Sequence, residues 1–72
     1  MASRVEVVER IRATYPKGTV LICDRMNDPR PVPSGTQGVV DFVDDIGTIH
    51  CIFDNGRHIG LIEGVDEFHI VK

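Results

Sequence analysis

The hydrophobic positions at the start of the chain follow a helical period. They recur every three or four residues, at Val5, Val8, Ile11 and Tyr15. This spacing is typical of the apolar face of an amphipathic helix. Ser3 precedes Glu6 by the interval of a capping box, in which the serine oxygen accepts from a backbone N–H of the first turn. Because Pro16 interrupts the pattern, the sequence predicts a helix over residues 3–14.

After the helix the apolar residues form short runs that are separated by turn residues. These runs predict five strands, over residues 19–23, 39–43, 48–53, 58–62 and 68–71. Asn55-Gly56 predicts a tight hairpin between the third and fourth strands. Residues 24–37 contain three prolines, which favour a stiff, extended loop. We expect this loop to be either a rigid lid over the core or a contact for a partner.

Five short strands, with a long loop after the first and a tight hairpin between the third and fourth, fit a small SH3-like barrel. A barrel also protects the edges of strands that are too short to be stable in an open sheet. With 72 residues, the chain is too short for two domains. We therefore predict one mainly β (α+β) domain over residues 1–72, with a helix at 3–14 and a five-stranded SH3-like barrel at 19–71.

The predicted hairpin has a testable register. If Asn55-Gly56 forms a two-residue turn, Phe53 pairs with His58 and Cys51 pairs with Gly60. One face then carries Ile49, Cys51, Phe53, His58 and Ile62, and the other carries His50, Ile52, Ile59 and Leu61. Since both faces are apolar, we expect the helix or a second subunit to cover the second one.

A doubly apolar hairpin suggests a surface for association. We expect a non-enzymatic interaction module that binds a partner protein or a second copy of itself. The predicted interaction residues are Ile52, Ile59, Leu61, Val5, Val8 and Ile11.

The charge of the chain adds a second hypothesis. Eight basic and eleven acidic residues give a net charge of −3, which argues against general binding to nucleic acid. The charge is uneven, because residues 1–35 hold six basic and four acidic groups and residues 36–72 hold two and seven. A local basic patch that binds RNA or DNA is therefore an alternative, through Arg4, Arg10, Arg12, Lys17, Arg25 and Arg30.

The residues capable of chemistry favour structural roles. Cys23 and Cys51 lie in apolar runs without a CxxC motif, which predicts buried free thiols in a cytoplasmic protein. His50 and His58 fall on opposite faces in the predicted register, so they do not share a metal. We predict no catalytic residue, no metal site and no cofactor. No apolar run reaches the roughly 18 residues of a membrane span, and the charged N-terminal segment argues against a secretion signal.

Several stretches between residues 15 and 70 resemble, in order, the domain of unknown function family 4314. They are Tyr15-Pro16-Lys17-Gly18-Thr19, Met26 with Asp28-Pro29, Pro33-Ser34-Gly35-Thr36-Gln37-Gly38-Val39-Val40, Val43-Asp44-Asp45-Ile46-Gly47-Thr48-Ile49-His50, Phe53-Asp54-Asn55-Gly56, and Leu61-Ile62 followed by Gly64-Val65-Asp66 and Phe68. The family usually has Trp at the position of Phe53 and a polar residue near Ile52. The resemblance implies a small cytosolic protein of bacteria, phages or mobile elements, and it implies no activity. This context alone suggests a further alternative, an inhibitor or small-molecule sponge encoded by a mobile element.

Overall fold

The structure is a computed structural model that describes residues 3–71. It contains one helix and five strands. In chain order they are α1 (Arg4–Thr14), β1 (Val20–Arg25), β2 (Thr36–Val43), β3 (Ile49–Phe53), β4 (His58–Leu61) and β5 (Glu67–Ile70). Each predicted element is present, with boundaries that differ by at most three residues. No helix in this part of the chain is long and apolar enough to cross a membrane.

The sequence signals at both ends of α1 operate as predicted. The Ser3 hydroxyl oxygen accepts a hydrogen bond from the backbone N–H of Glu6 at 3.2 Å, which caps the first turn. At the other end, the N–H of Tyr15 donates to the carbonyl of Ile11 at 2.9 Å, and Pro16 follows. Proline lacks the N–H that another helical turn needs, so the helix ends there.

The helix packs on β2 and on the turn between β2 and β3. Val8 and Ile11 are buried, whereas Val5, at the start of the predicted stripe, is 70% exposed. Gly47 allows the close approach, because its φ is +89° and a Cβ there would lie 3.2 Å from Cδ1 of Ile11. The helix thus covers one end of the core. Among the strands it contacts only β2, so the first of the two expected covers for the second face of the hairpin, the helix, is wrong.

The five strands form one antiparallel sheet in the order β4-β3-β2-β1-β5. Strands β4 and β5 lie at the two edges, and no ladder joins them within residues 3–71. Because the two edge strands do not pair, the sheet is not closed, and the SH3-like barrel stays a prediction. The mainly β architecture with one helix and five strands is confirmed.

The predicted long loop is shorter than expected because β1 and β2 extend into it. Cys23 pairs with Thr36, and the N–H of Gly35 donates to the carbonyl of Cys23 at 2.7 Å. The remaining loop buries Met26 and Val32 in the core. It therefore covers one part of the core, as expected for the lid.

The hairpin turn differs from the prediction by one residue. The N–H of Phe53 donates to the carbonyl of Arg57 at 2.9 Å, and the N–H of Gly56 donates to the carbonyl of Phe53 at 2.8 Å. Gly56 has a φ of +83°, whereas Asn55 does not have a positive φ. This pattern is a three-residue loop with a type I turn and a following glycine bulge, instead of a two-residue type I′ turn.

The extra loop residue changes every pair in the ladder and reassigns the faces. The observed pairs are Ile49 with Leu61, His50 with Gly60, Cys51 with Ile59, and Ile52 with His58. A register shift of one residue moves side chains to the opposite face of a strand. The predicted two-sided apolar hairpin is therefore wrong, because Ile59 and Leu61 point into the core with Cys51 and Ile49.

One contiguous hydrophobic core lies on the inner side of the sheet. Its buried members come from four strands, the helix and the long loop, and they are Ile11, Leu21, Cys23, Met26, Val32, Val40, Val43, Ile49, Cys51, Phe53, Ile59 and Leu61. Tyr15 and Phe68 pack against this cluster and contact each other edge-to-face, with ring centroids 5.6 Å apart. The inner side thus accounts for most of the apolar residues of the sheet.

Candidate docking surface

A β-bulge in β2 decides which aromatic side chain is left in solvent. Val40 pairs with Cys51 and Phe42 pairs with His50, so Asp41 is an extra residue in β2. Strict alternation would send Phe42 to the same side as Val40, which is buried. The extra residue instead turns Phe42 outward, where it is 51% exposed, and turns Val43 into the core. β-bulges commonly re-aim side chains in this way.

Phe42 stacks on the imidazole ring of His50 on the outer side of the sheet. The ring centroids are 4.3 Å apart and the planes differ by 8°. Nε2 of His50 lies 2.8 Å from Oδ2 of Asp44. Because an ionised carboxylate only accepts hydrogen bonds, Nε2 carries the proton of this bond. The imidazole is therefore fixed in orientation and supports one side of the phenyl ring.

Asp44 is the anchor of this arrangement. Its Oδ1 accepts from the N–H of Ile46 at 3.1 Å and from the N–H of Thr48 at 2.9 Å. Together with the bond from His50, which has the largest effect, these backbone bonds stabilise the carboxylate and lower the pKa of Asp44 below its usual value. Asp44 thus holds both the β2–β3 turn and the ring of His50.

An apolar row crosses the outer side of the sheet next to the stacked rings. Val20 pairs with Val39, and Val39 pairs with Ile52, so these three side chains lie side by side on adjacent strands. The N–H of Val71 donates to the carbonyl of Val20 at 2.9 Å and extends the row towards β5. Val39 and Ile52 are 38% and 39% exposed. We define the outer face as Val20, Val39, Phe42, His50, Ile52 and Val71.

The six residues predicted for protein interaction do not form one surface. Ile59, Leu61, Val8 and Ile11 are buried in the core or under the helix. Of this set, only Ile52 belongs to the outer face. Val5 is exposed, but it lies on the helix.

The six basic residues predicted for nucleic-acid binding are partly used within the fold. Arg10 pairs with Glu63 at 2.6 Å. Arg12 pairs with both Glu9 and Asp45. Lys17 lies 3.5 Å from Asp41. For the other three, Arg4, Arg25 and Arg30, no ion pair occurs within residues 3–71.

Both thiols are buried and free, as predicted. Burial raises the pKa of Cys23 and raises that of Cys51 to about 12. A thiol reacts through its thiolate, so these shifts disfavour a nucleophilic role.

The histidines lie differently from the prediction. His50 and His58 share the outer side of the sheet, because His58 pairs with Ile52, which is two residues from His50 on β3. His69 is on the same side and its Nδ1 lies 2.7 Å from Oδ2 of Asp24. No cluster of three or more potential metal ligands occurs in the described part of the chain.

A shallow groove of about 180 Å³ runs along α1. It is lined by Arg4, Val5, Val8, Glu9, Arg12 and Asp45. Sites for small molecules usually enclose about 300–1,000 Å³, so this groove is small for such a ligand.

Sequence reasoning did not identify Phe42, Val39 or Val20 as surface residues. The available signal was Asp41, a carboxylate in the middle of an otherwise apolar strand. An acidic residue between apolar neighbours fits either an outward position or a bulge, and only the pairing with β3 distinguishes the two.

The comparisons with known proteins identify the family and give no activity. No curated protein and no solved structure matches the chain. The family model described as "Domain of unknown function (DUF4314)" matches residues 4–71, from the helix through β5. The chain therefore belongs to the DUF4314 family.

Proposed function

We propose that this chain is a non-enzymatic binding module that docks a partner protein on the outer face of its sheet. The observation that carries the proposal is Phe42, which the bulge at Asp41 turns away from the core and onto His50. Aromatic residues are enriched at protein interfaces, where burial recovers the free energy lost by leaving them in water. A half-exposed Phe next to an apolar row supports such a use.

The arrangement of polar groups supports binding over catalysis. Asp44 bonds to His50, and Asp24 bonds to His69, so these acid–base groups are engaged with each other. Both thiols are buried with raised pKa values. Nucleophilic catalysis needs an accessible nucleophile within hydrogen-bonding reach of its base, and the outer face offers a supported hydrophobic surface instead.

The proposal includes an SH3-like curl of the sheet. In a flat sheet of this order, β4 and β5 would lie roughly 19 Å apart, since neighbouring strands are about 4.8 Å apart. Only residues 62–66 connect the two strands, and they form a tight turn in which the N–H of Asp66 donates to the carbonyl of Ile62 at 2.9 Å. A strongly curled sheet satisfies this short connection and makes the outer face convex.

The experiment is site-specific photo-crosslinking in cells of the natural source. A benzoylphenylalanine at position 42 is compared with one at position 5, which is exposed on the helix. We expect a discrete protein adduct from position 42, none from position 5, and loss of the adduct when Ile52→Asp is added. Equal adducts from both positions, no adduct, or an adduct that disappears on nuclease treatment would each contradict the proposal.

A further inference from the structure

The outer face has acidic groups at its margins. Asp41 follows Val40 in the bulge beside Phe42, and Asp44 bonds to the ring on which Phe42 stacks. Asp24 lies at the far side of the face, bonded to His69, which pairs with Ile22. Two basic side chains also lie at this margin, each paired with a carboxylate: Lys17 is 3.5 Å from Asp41, and Arg12 pairs with Asp45 while its Nε donates to the carbonyl of Val43. The apolar centre is thus bordered mainly by carboxylates.

The half of the chain that supplies five of the six outer-face residues also has a net negative charge. Residues 36–72 contain two basic and seven acidic residues. One of the two basic groups, Arg57, donates to the carbonyl of Arg30 at 2.6 Å. A nucleic acid would bring phosphates to this region, and a second copy docked face to face would bring the same carboxylates together. Both arrangements place like charges close to each other.

Phe42 provides a second, geometric preference. His50 covers one side of its ring, and the side chain is still 51% exposed. A guanidinium group stacks well on an aromatic ring, and it can at the same time donate hydrogen bonds to a nearby carboxylate. Asp41 in β2 and Asp44 just after its end are the carboxylates nearest to Phe42 along the chain. An arginine therefore fits this position better than a neutral or an acidic side chain.

We propose that the outer face binds a cationic amphipathic segment of a partner protein, with an arginine stacked on Phe42 between Asp41 and Asp44. Apolar side chains of the same segment cover Val39 and Ile52. This inference rests on the proposed function, because it names the chemistry of the partner for the same surface.

The test uses two synthetic peptides of equal length, one alternating leucine with arginine and the other alternating leucine with glutamate. Each is titrated into the isotopically labelled chain, and amide chemical shifts are followed by NMR. We expect the arginine peptide to shift the amides of Val39, Phe42 and Ile52, with an affinity that falls as salt is raised. We expect no binding of the glutamate peptide.

Two variants separate stacking from simple burial. Phe42→Leu keeps an apolar side chain but removes the ring, and we expect it to weaken binding of the arginine peptide about tenfold. Val5→Ala, on the helix, is the matched control and should leave the affinity unchanged. The spectrum of each variant without peptide reports whether the fold is intact.

Several results would contradict the cationic partner without contradicting the docking surface. Equal binding of both peptides, or an unchanged affinity in Phe42→Leu, would overturn the cationic partner. Chemical-shift changes confined to α1 would also overturn it. So would outer-face shifts that appear without peptide when the concentration of the chain is raised, because they would indicate that a second copy binds there. If crosslinking from position 42 succeeds while the arginine peptide does not bind, the docking surface stands and only the chemistry of the partner is wrong.

Discussion

At the scale of single residues, Asp41 determines which of its neighbours enters the core. As the extra residue of the bulge, it places Val43 inside and Phe42 outside. Three residues further on, Asp44 uses both carboxylate oxygens, for two backbone N–H groups and for the ring of His50. Asp44 thus holds the imidazole ring on which Phe42 stacks.

Asp44→Asn tests how much the bond between Asp44 and His50 contributes to stability. The asparagine oxygen can still accept from the backbone, but its NH₂ group cannot accept from Nε2 of His50. We expect the free energy of unfolding at pH 7, measured by urea denaturation, to fall by about 1 kcal/mol. Asp45→Asn is the matched control, because the Asp45 side chain is fully exposed, and it should change stability by less than about 0.5 kcal/mol.

The stability lost in Asp44→Asn should also depend on pH. The pKa of Asp44 is lowered in the folded state, so its contribution is present above the unfolded value of about 4 and is lost as the pH falls through the lower, folded value. The stability difference between the parent chain and Asp44→Asn should therefore shrink as the pH is lowered below about 4. A difference that stays constant down to pH 3 would show that the charge of Asp44 is not involved.

At the scale of elements, the contact between β2 and β3 depends on a glycine in β2. Gly38 pairs with Phe53, and a Cβ at Gly38 would lie 2.8 Å from Cδ1 of the phenyl ring. Phe53 is 2% exposed and is the largest fully buried side chain. The absence of a side chain at Gly38 therefore allows the ring of Phe53 to approach β2 closely.

Gly38→Ala should therefore destabilise the protein. The methyl group would force the ring of Phe53 or the strand to shift, at a cost of about 1–3 kcal/mol in the free energy of unfolding. Chemical denaturation measures the loss. The double variant Gly38→Ala/Phe53→Leu is the control, because the smaller leucine leaves space for the methyl group, so the added alanine should cost less in that background. An equal cost in both backgrounds would refute the proposed clash.

At the scale of the whole molecule, Asp66 connects parts that are far apart in sequence. It is a buried carboxylate whose Oδ1 accepts from the N–H of Asn27 at 2.7 Å and whose Oδ2 accepts from the N–H of Ile62 at 2.8 Å. The first bond holds the loop that covers the core, and the second holds the turn that joins the two edges of the sheet. One side chain thus holds both this loop and this turn.

Asp66→Ala removes both bonds and leaves two N–H groups without this acceptor. We expect a loss of about 2–4 kcal/mol in the free energy of unfolding, which is large for a domain of this size. Asp66→Asn, which retains one acceptor oxygen, should lie between the parent and Asp66→Ala. Glu67→Ala, at the adjacent exposed position, is the control and should be nearly neutral. Thermal unfolding of the four proteins gives the order, and an Asp66→Ala variant as stable as the control would contradict the assigned role.

The sequence predicted the elements well because their signals are local. Ser3 and Pro16 mark the ends of α1, and the apolar runs mark the strands. The candidate site was predicted poorly because it depends on two local irregularities, the three-residue turn at Gly56 and the bulge at Asp41. Each adds one residue, and one residue is enough to move Ile59 and Leu61 inward and Phe42 outward.

By itself, the sequence determined one helix and five short strands, two buried thiols and the family. These follow from periodicity, from proline and glycine, and from motifs in order, all of which act over a few neighbouring residues or are read directly. Only the tertiary structure decided the register of the strands, and with it which apolar residues form the core and which remain on the outer face. That choice depends on how residues distant in the chain pack together, because the inner side of the sheet can hold only one of the two alternating sets of side chains.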